Sequence, residues 1–163
     1  MTIPSVHPRR IGFDPGVVAP APMSVTRARH RANRATVAEL MTSPPPAIEA
    51  TAPVREVVHR FVAGGITELV VTTGARPIGV ITARNLLALV DPVAGAWQPR
   101  RARDLVAART PRLLPDLEIS AAVSVMSTDR VEAVPVVDHR GDLIGVVAQR
   151  HIIDRLAGAR PPS

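Results

Sequence analysis

The segment Thr82-Ala83-Arg84-Asn85 concentrates the chemistry of this 163-residue chain. It follows an apolar β-branched run, Ile78 to Ile81, and opens a helical pattern that runs to Val90. It therefore sits where a strand turns into a helix. A helix N-terminus offers free backbone N–H groups and a partial positive charge, both of which attract phosphate. A threonine hydroxyl there can donate to a phosphate oxygen, and Arg84 can add charge. The residue three positions on, Asn85, shares that end of the helix and can reach a ribose. A plainer reading stands beside this one: Thr82 only caps its helix, and Asn85 is a surface residue.

Sixty-six residues later the equivalent segment is Ala148-Gln149-Arg150-His151. Ala148 has no hydroxyl, and His151 cannot hold a ribose diol as a carboxylate does. A protonated histidine at a helix N-terminus is unfavourable unless an anion sits there. Arg150 and His151 thus mark a second, weaker cleft that takes a more anionic ligand or stays empty.

Other chemistry finds no support. Cysteine is absent, so there is no thiol nucleophile, disulfide or cysteine metal site. His7, His30, His59, His139 and His151 show no paired-ligand spacing, and no metal site is expected. There is no lysine, hence no glycine-rich phosphate loop ending in one. Ser and His form no nucleophile motif. Phe13, Phe61 and Trp97 are the full aromatic set, which leaves no platform for stacking the bases of a nucleic acid.

The net charge is +6, and residues 1–36 hold most of it, with six Arg against Asp14 alone. Several prolines and no periodicity predict a basic, disordered tail there. A solvated extension is the favoured role; nucleic-acid contact is the alternative. Met23 is an alternative start. No apolar run reaches membrane-spanning length and no signal segment is visible, so a cytoplasmic protein is expected.

The elements that must position these residues occur twice. Ala38-Glu39-Leu40-Met41 returns as Arg103-Asp104-Leu105-Val106, and Gly79-Val80-Ile81 as Gly145-Val146-Val147. Repeated units of this length bury apolar faces against each other. In the first, residues 37–90, a short helix Val37–Met41 is broken by Pro44-Pro45-Pro46. A short extended piece, Ala47–Glu49, follows. Thr51 is the expected cap of a helix with Val54, Val57, Val58, Phe61 and Val62 on one face, ended by Gly64-Gly65. Strands over 68–72 and 76–81 and a closing helix complete it. Residues 91–100 form a linker. The second unit, 101–157, retraces the order with Asp116 as expected cap, Ile119, Ala122, Val123 and Met126 as the apolar stripe, and 158–163 as a tail.

The carriers Leu40-Met41-Thr42, Pro77-Ile78-Gly79-Val80-Ile81-Thr82-Ala83-Arg84-Asn85, Glu132-Ala133-Val134-Pro135-Val136-Val137-Asp138 and Gly141-Asp142-Leu143-Ile144-Gly145-Val146-Val147 resemble, in this repeated order, a tandem pair of CBS domains, a Bateman module. The resemblance covers residues 36–157. It implies an α+β, sandwich-like fold: two repeats, each β-α-β-β-α with a preceding short helix, packed as a pseudo-two-fold pair. It implies a regulatory sensor and not an enzyme. Such a sensor binds an adenosine-containing ligand (AMP, ADP or ATP) between the repeats, needs no cofactor, and acts on an unidentified partner as a homodimer. In the family the helix start resembles Thr or Ser, two variable residues, then an Asp that accepts from both ribose hydroxyls. Asn85 replaces that Asp, so the first site is weakened. By analogy Met41, Thr42, Ile48, Val70 and Val80 are cleft walls; each also suits ordinary core.

Overall fold

The computed structural model describes residues 35–87, 100–107 and 109–158. The tail before residue 35, most of the linker and residues 159–163 lie outside this range. The first half holds a 3-10 turn at Val37–Glu39, β1 (Ala47–Glu49), α1 (Val54–Gly64), β2 (Glu68–Thr73), β3 (Arg76–Thr82) and α2 (Ala83–Leu87). The second holds a 3-10 turn at Ala102–Leu105, α3 (Ile119–Asp129), β4 (Ala133–Val137), β5 (Leu143–Ala148) and α4 (Gln149–Leu156). The fold is α+β. β1 pairs parallel with β2, and β2 antiparallel with β3. β4 pairs antiparallel with β5, and where the first repeat has β1 the second has only a parallel bridge, Leu113 to Val136.

The helix starts differ from the expected caps. Pro53 and Glu118 hold the extended cap conformation, two residues after Thr51 and Asp116. The glycine stop is as read, with Gly65 left-handed at φ 57°. At the equivalent place α3 ends on Arg130 at φ 53°, a conformation that strains a residue with a Cβ. The α1 stripe is only partly used: Val57 is buried, but Val58 is 40% and Val62 81% exposed.

The sequence repeat and the packing unit do not coincide. Val37 is buried among Leu113, Ala122, Met126, Val134, Val136 and Val147, all of the second repeat. Its N–H donates to Leu117 at 2.8 Å, and Thr42 forms a two-way bridge with Val146 at 2.9 and 3.2 Å. In return Ala102 and Leu105 join the core of the first repeat, with Ile48, Val57, Leu69, Val71 and Ile81. Ala102 N–H donates to Ala52 at 2.8 Å and Arg103 N–H to Ala50 at 3.1 Å. Each repeat lends its opening turn to the other.

This exchange accounts for the repeated motif residue by residue. Glu39 reaches back to the Thr36 N–H at 2.6 Å, and Asp104 to the Arg101 N–H at 2.9 Å, so the acid closes each turn. The backbone N–H groups of Arg101 and Arg100 hold the Asp104 carboxyl below its ordinary range. Leu40 and Leu105 are buried. The next residue lies flat on a glycine of the other repeat. A Cβ on Gly79 would meet Val106 Cβ at 2.4 Å, and one on Gly145 would meet Met41 Sδ at 2.5 Å. Only glycine admits this approach. Between the units, Val70, Ala133, Val146 and Ala148 form a shared apolar layer.

Candidate functional site

The layer between the repeats is flanked by two helix starts, those of α2 and α4. Both are locked by the same device. The side chain three residues on turns back and accepts the last strand's final N–H. At α2 the Asn85 Oδ1 accepts from Thr82 N–H at 2.7 Å and from Thr82 Oγ1 at 3.1 Å. At α4 the His151 Nδ1 accepts from Ala148 N–H at 3.1 Å. Asn85 is therefore neither a free acceptor nor a surface residue; it is half-buried and caps its own helix.

The capping bond fixes which way the amide faces. Two donors on Oδ1 leave Nδ2 as the donor end of Asn85, with no hydrogen-bond partner among the described residues. The Thr82 hydroxyl spends its proton on Asn85 and keeps lone pairs. The first site thus offers donors to a ligand rather than a carboxylate for a ribose diol. Arg84 stands at the rim, its side chain 82% exposed, 3.0 Å from Glu132.

The same argument assigns the histidine. With Nδ1 accepting, the ring proton of neutral His151 lies on Nε2, which faces Thr42 Oγ1 at 3.4 Å and Glu68 Oε1 at 3.9 Å. Burial pushes the His151 pKa below its ordinary value, Arg150 adds to that, and Glu68 and Asp154 oppose it. Arg150 makes a two-point pair with Glu68, Nε to Oε2 at 3.3 Å and Nη2 to Oε1. Glu68 is among the buried residues, and nothing about it stands out in the sequence. The signal available was its place at the first position of a strand that faces the other repeat.

The remaining predicted wall residues divide. Thr42 belongs with His151 at the second cleft, not with Thr82, because its segment crosses to β5. Ile48 lies in the first repeat's core. Val70 is fully buried in the inter-repeat layer, and Val80 packs beside it. Met41 is half-buried against Gly145. An open cavity of about 540 Å³ is lined by Ile78, Arg109, Thr110, Pro111, Arg112 and Asp129, and excludes Thr82 and Asn85. Among the described residues no cluster of three or more His, Asp or Glu could hold a metal ion.

A family model described as CBS domain matches residues 37–91 and again 102–158. An uncharacterized protein of Methanopyrus kandleri is 31% identical over 101 residues, which are 60% of this chain and 50% of that protein. The match thus spans about half the length of that relative. Three solved structures share the fold. The CBS domain of a bacterial CNNM/CorC family Mg2+ transporter in complex with ATP has a TM-score of 0.69 at 17% identity, over 85% of this chain and 98% of that one. The CBS domain pair of MJ0100 with 5'-methylthioadenosine and S-adenosyl-L-methionine has 0.65 at 20%, over 76% and 100%. CBSX2 in complex with AMP has 0.64 at 20%, over 76% and 96%.

Proposed function

Because the chain belongs to the CBS-domain family, we propose that it is a regulatory module that binds an adenosine-containing ligand, AMP, ADP or ATP, between its repeats and passes its occupancy to a partner protein. The observation that carries this reading is the Thr82–Asn85 unit, fixed at the start of α2 with the Asn85 amide left to donate. An NH2 donor and the α2 N-terminus suit an acceptor-rich phosphate better than a diol, and Arg84, exposed at the rim, would exchange its Glu132 partner to join them. AMP- and ATP-bound relatives of the same fold support that ligand class. The role is binding and not catalysis, and no residue is assigned a chemical step. No helix among the described residues is long and apolar enough to cross a membrane, and a cytoplasmic location goes with nucleotide ligands.

Calorimetry with AMP, ADP and ATP tests this. One of them should bind, and Thr82→Ala with Asn85→Ala should weaken it by about tenfold or more, the loss of one or two hydrogen bonds. No binding at millimolar ligand by folded protein overturns it. A homodimer belongs to the same proposal. Val58 and Val123, equivalent on α1 and α3, are 40% and 43% exposed, a matched apolar pair suited to a two-fold partner. A ligand-free scaffold is the second reading, favoured by the Glu68–Arg150 pair that fills one helix start. It predicts a melting temperature indifferent to nucleotide.

A further inference from the structure

The two clefts are copies in backbone and differ in where their carboxylate sits, at the rim beside Arg84 and buried beside Arg150. Strand register shows why. Glu68 on β2 stands opposite Thr82, and Ala133 on β4 stands opposite Ala148. Thr82 and Ala148 are equivalent, so Glu68 and Ala133 hold one position in the two repeats. Ala133 lies in the apolar layer between the repeats, and its small side chain puts no buried carboxylate at the α2 start. Glu68 instead projects across to the α4 start, with its side chain 4% exposed. There it takes both ends of the Arg150 guanidinium and lies 3.9 Å from His151 Nε2. The matching arginine of the other repeat, Arg84, pairs outside, with Glu132 at the rim.

We propose that Glu68 is a built-in occupant of the second cleft: its carboxylate holds the place that an anionic ligand group would take against Arg150 at the start of α4. The inference deepens the ligand reading and rests on it in one respect, that the first cleft is the one left open for a phosphate. The Glu68 side chain is 4% exposed and held at two points, so a phosphate entering here meets a buried like charge. Arg150 is already neutralised, and an incoming anion must first break a two-point pair. His151 offers no second positive charge, because its Nδ1 accepts the Ala148 N–H and has no room for a proton. Glu68 is therefore the residue that decides which of two similar clefts accepts an anion.

Inorganic pyrophosphate is the probe, and its stoichiometry on the full chain by calorimetry is the readout. Glu68→Ala installs the residue that the other repeat carries at this position. It should add one pyrophosphate per chain over wild type, bound at least about tenfold more tightly than wild type binds at this cleft. The added site should vanish in Glu68→Ala/Arg150→Ala. Glu68→Gln keeps the shape of the side chain and loses its charge, and should move the same way by less; it carries the test if the alanine variant does not fold. Unchanged stoichiometry in a folded Glu68 variant, or an added site that survives loss of Arg150, overturns the proposal. The two readings fail separately. Wild type that binds nothing, with a gain in Glu68→Ala, defeats the first-cleft reading alone. Wild-type binding lost with Thr82 and Asn85, with no gain in the Glu68 variants, defeats this inference alone.

Discussion

Adding one methyl group at Gly79 should destabilise this protein far more than adding one at Gly145, although the two are the same position of the repeat. At Gly79 the new Cβ would lie 2.4 Å from Val106 Cβ, about 1 Å inside ordinary contact at 3.4 Å. A Cβ cannot rotate away, so the whole crossing turn must shift, at a cost of about 3 kcal/mol, the upper end for overpacking. At Gly145 the nearest atom is Met41 Sδ at 2.5 Å, the far end of an unbranched side chain, while Met41 Cβ is already at 3.2 Å. Rotation of Met41 relieves most of the clash and leaves about 1 kcal/mol, part of it offset by the lower entropy of an unfolded chain with one glycine fewer. Urea unfolding should show both as shifts in midpoint at constant slope. A second pair of variants sharpens the difference. Met41→Ala removes Sδ and Cγ and should couple favourably with Gly145→Ala. Val106→Ala removes Cγ1 and Cγ2, at 2.6 and 2.9 Å, but keeps the Cβ at 2.4 Å, and should rescue Gly79→Ala only in part. Equal losses at the two glycines, or no coupling of either glycine with the residue that faces it, would refute the exchanged-turn packing.

Other outcomes follow from the helix ends and the buried histidine. Asn85→Asp keeps the cap and adds a carboxylate at a helix N-terminus; it should gain about 0.3–1 kcal/mol in the same assay, whereas Asn85→Ala should lose about 1. His151 has a folded pKa below the ordinary 6.5, so the unfolded chain takes the proton first. Its contribution is complete above about pH 6.5 and is lost as pH falls from there towards the folded value; burial drives the shift, Arg150 reinforces it, and Glu68 and Asp154 oppose it. His151→Asn keeps an acceptor for Ala148 N–H, as Asn85 does for Thr82, and should flatten that slope in melts taken between pH 5 and 7. Arg130→Gly should stabilise by about 1 kcal/mol by removing a Cβ from a left-handed position, read from the urea midpoint. Val58→Asp with Val123→Asp should turn a dimer into a monomer in sedimentation while leaving the melt cooperative.

The repeat and nearly all of its elements were legible, because Val-rich strands and apolar helix stripes repeat at one spacing in both halves. The exchange of opening turns was not. Val37 and Ala102 read as apolar whichever repeat they cover, and swapping like for like leaves no trace in a hydrophobic pattern. The sign of it was Gly79 and Gly145, small residues where another backbone comes close. Thr51 and Asp116 are residue types that favour caps, yet the helices start two residues later, where Pro53 and Glu118 take the extended conformation. Thr42 moved to the second cleft for the same reason as Val37, since both ride on the crossing segment. The Glu68–Arg150 pair joins residues far apart in the chain, and spacing alone cannot bring such partners together. Asn85 was half legible. Its three-residue spacing from Thr82 suggests a ribose contact and the plainer reading leaves it on the surface; the hydrogen-bond directions show instead that its oxygen is spent on the cap.

The most direct test of the nucleotide-module account is calorimetric titration of the full chain with ATP, beside Thr82→Ala/Asn85→Ala and Arg150→Ala. The account predicts one ATP per chain, lost with Thr82 and Asn85 and untouched by Arg150→Ala, because Arg150 is already held by Glu68. Binding that survives at the α2 variant and disappears with Arg150 would contradict it.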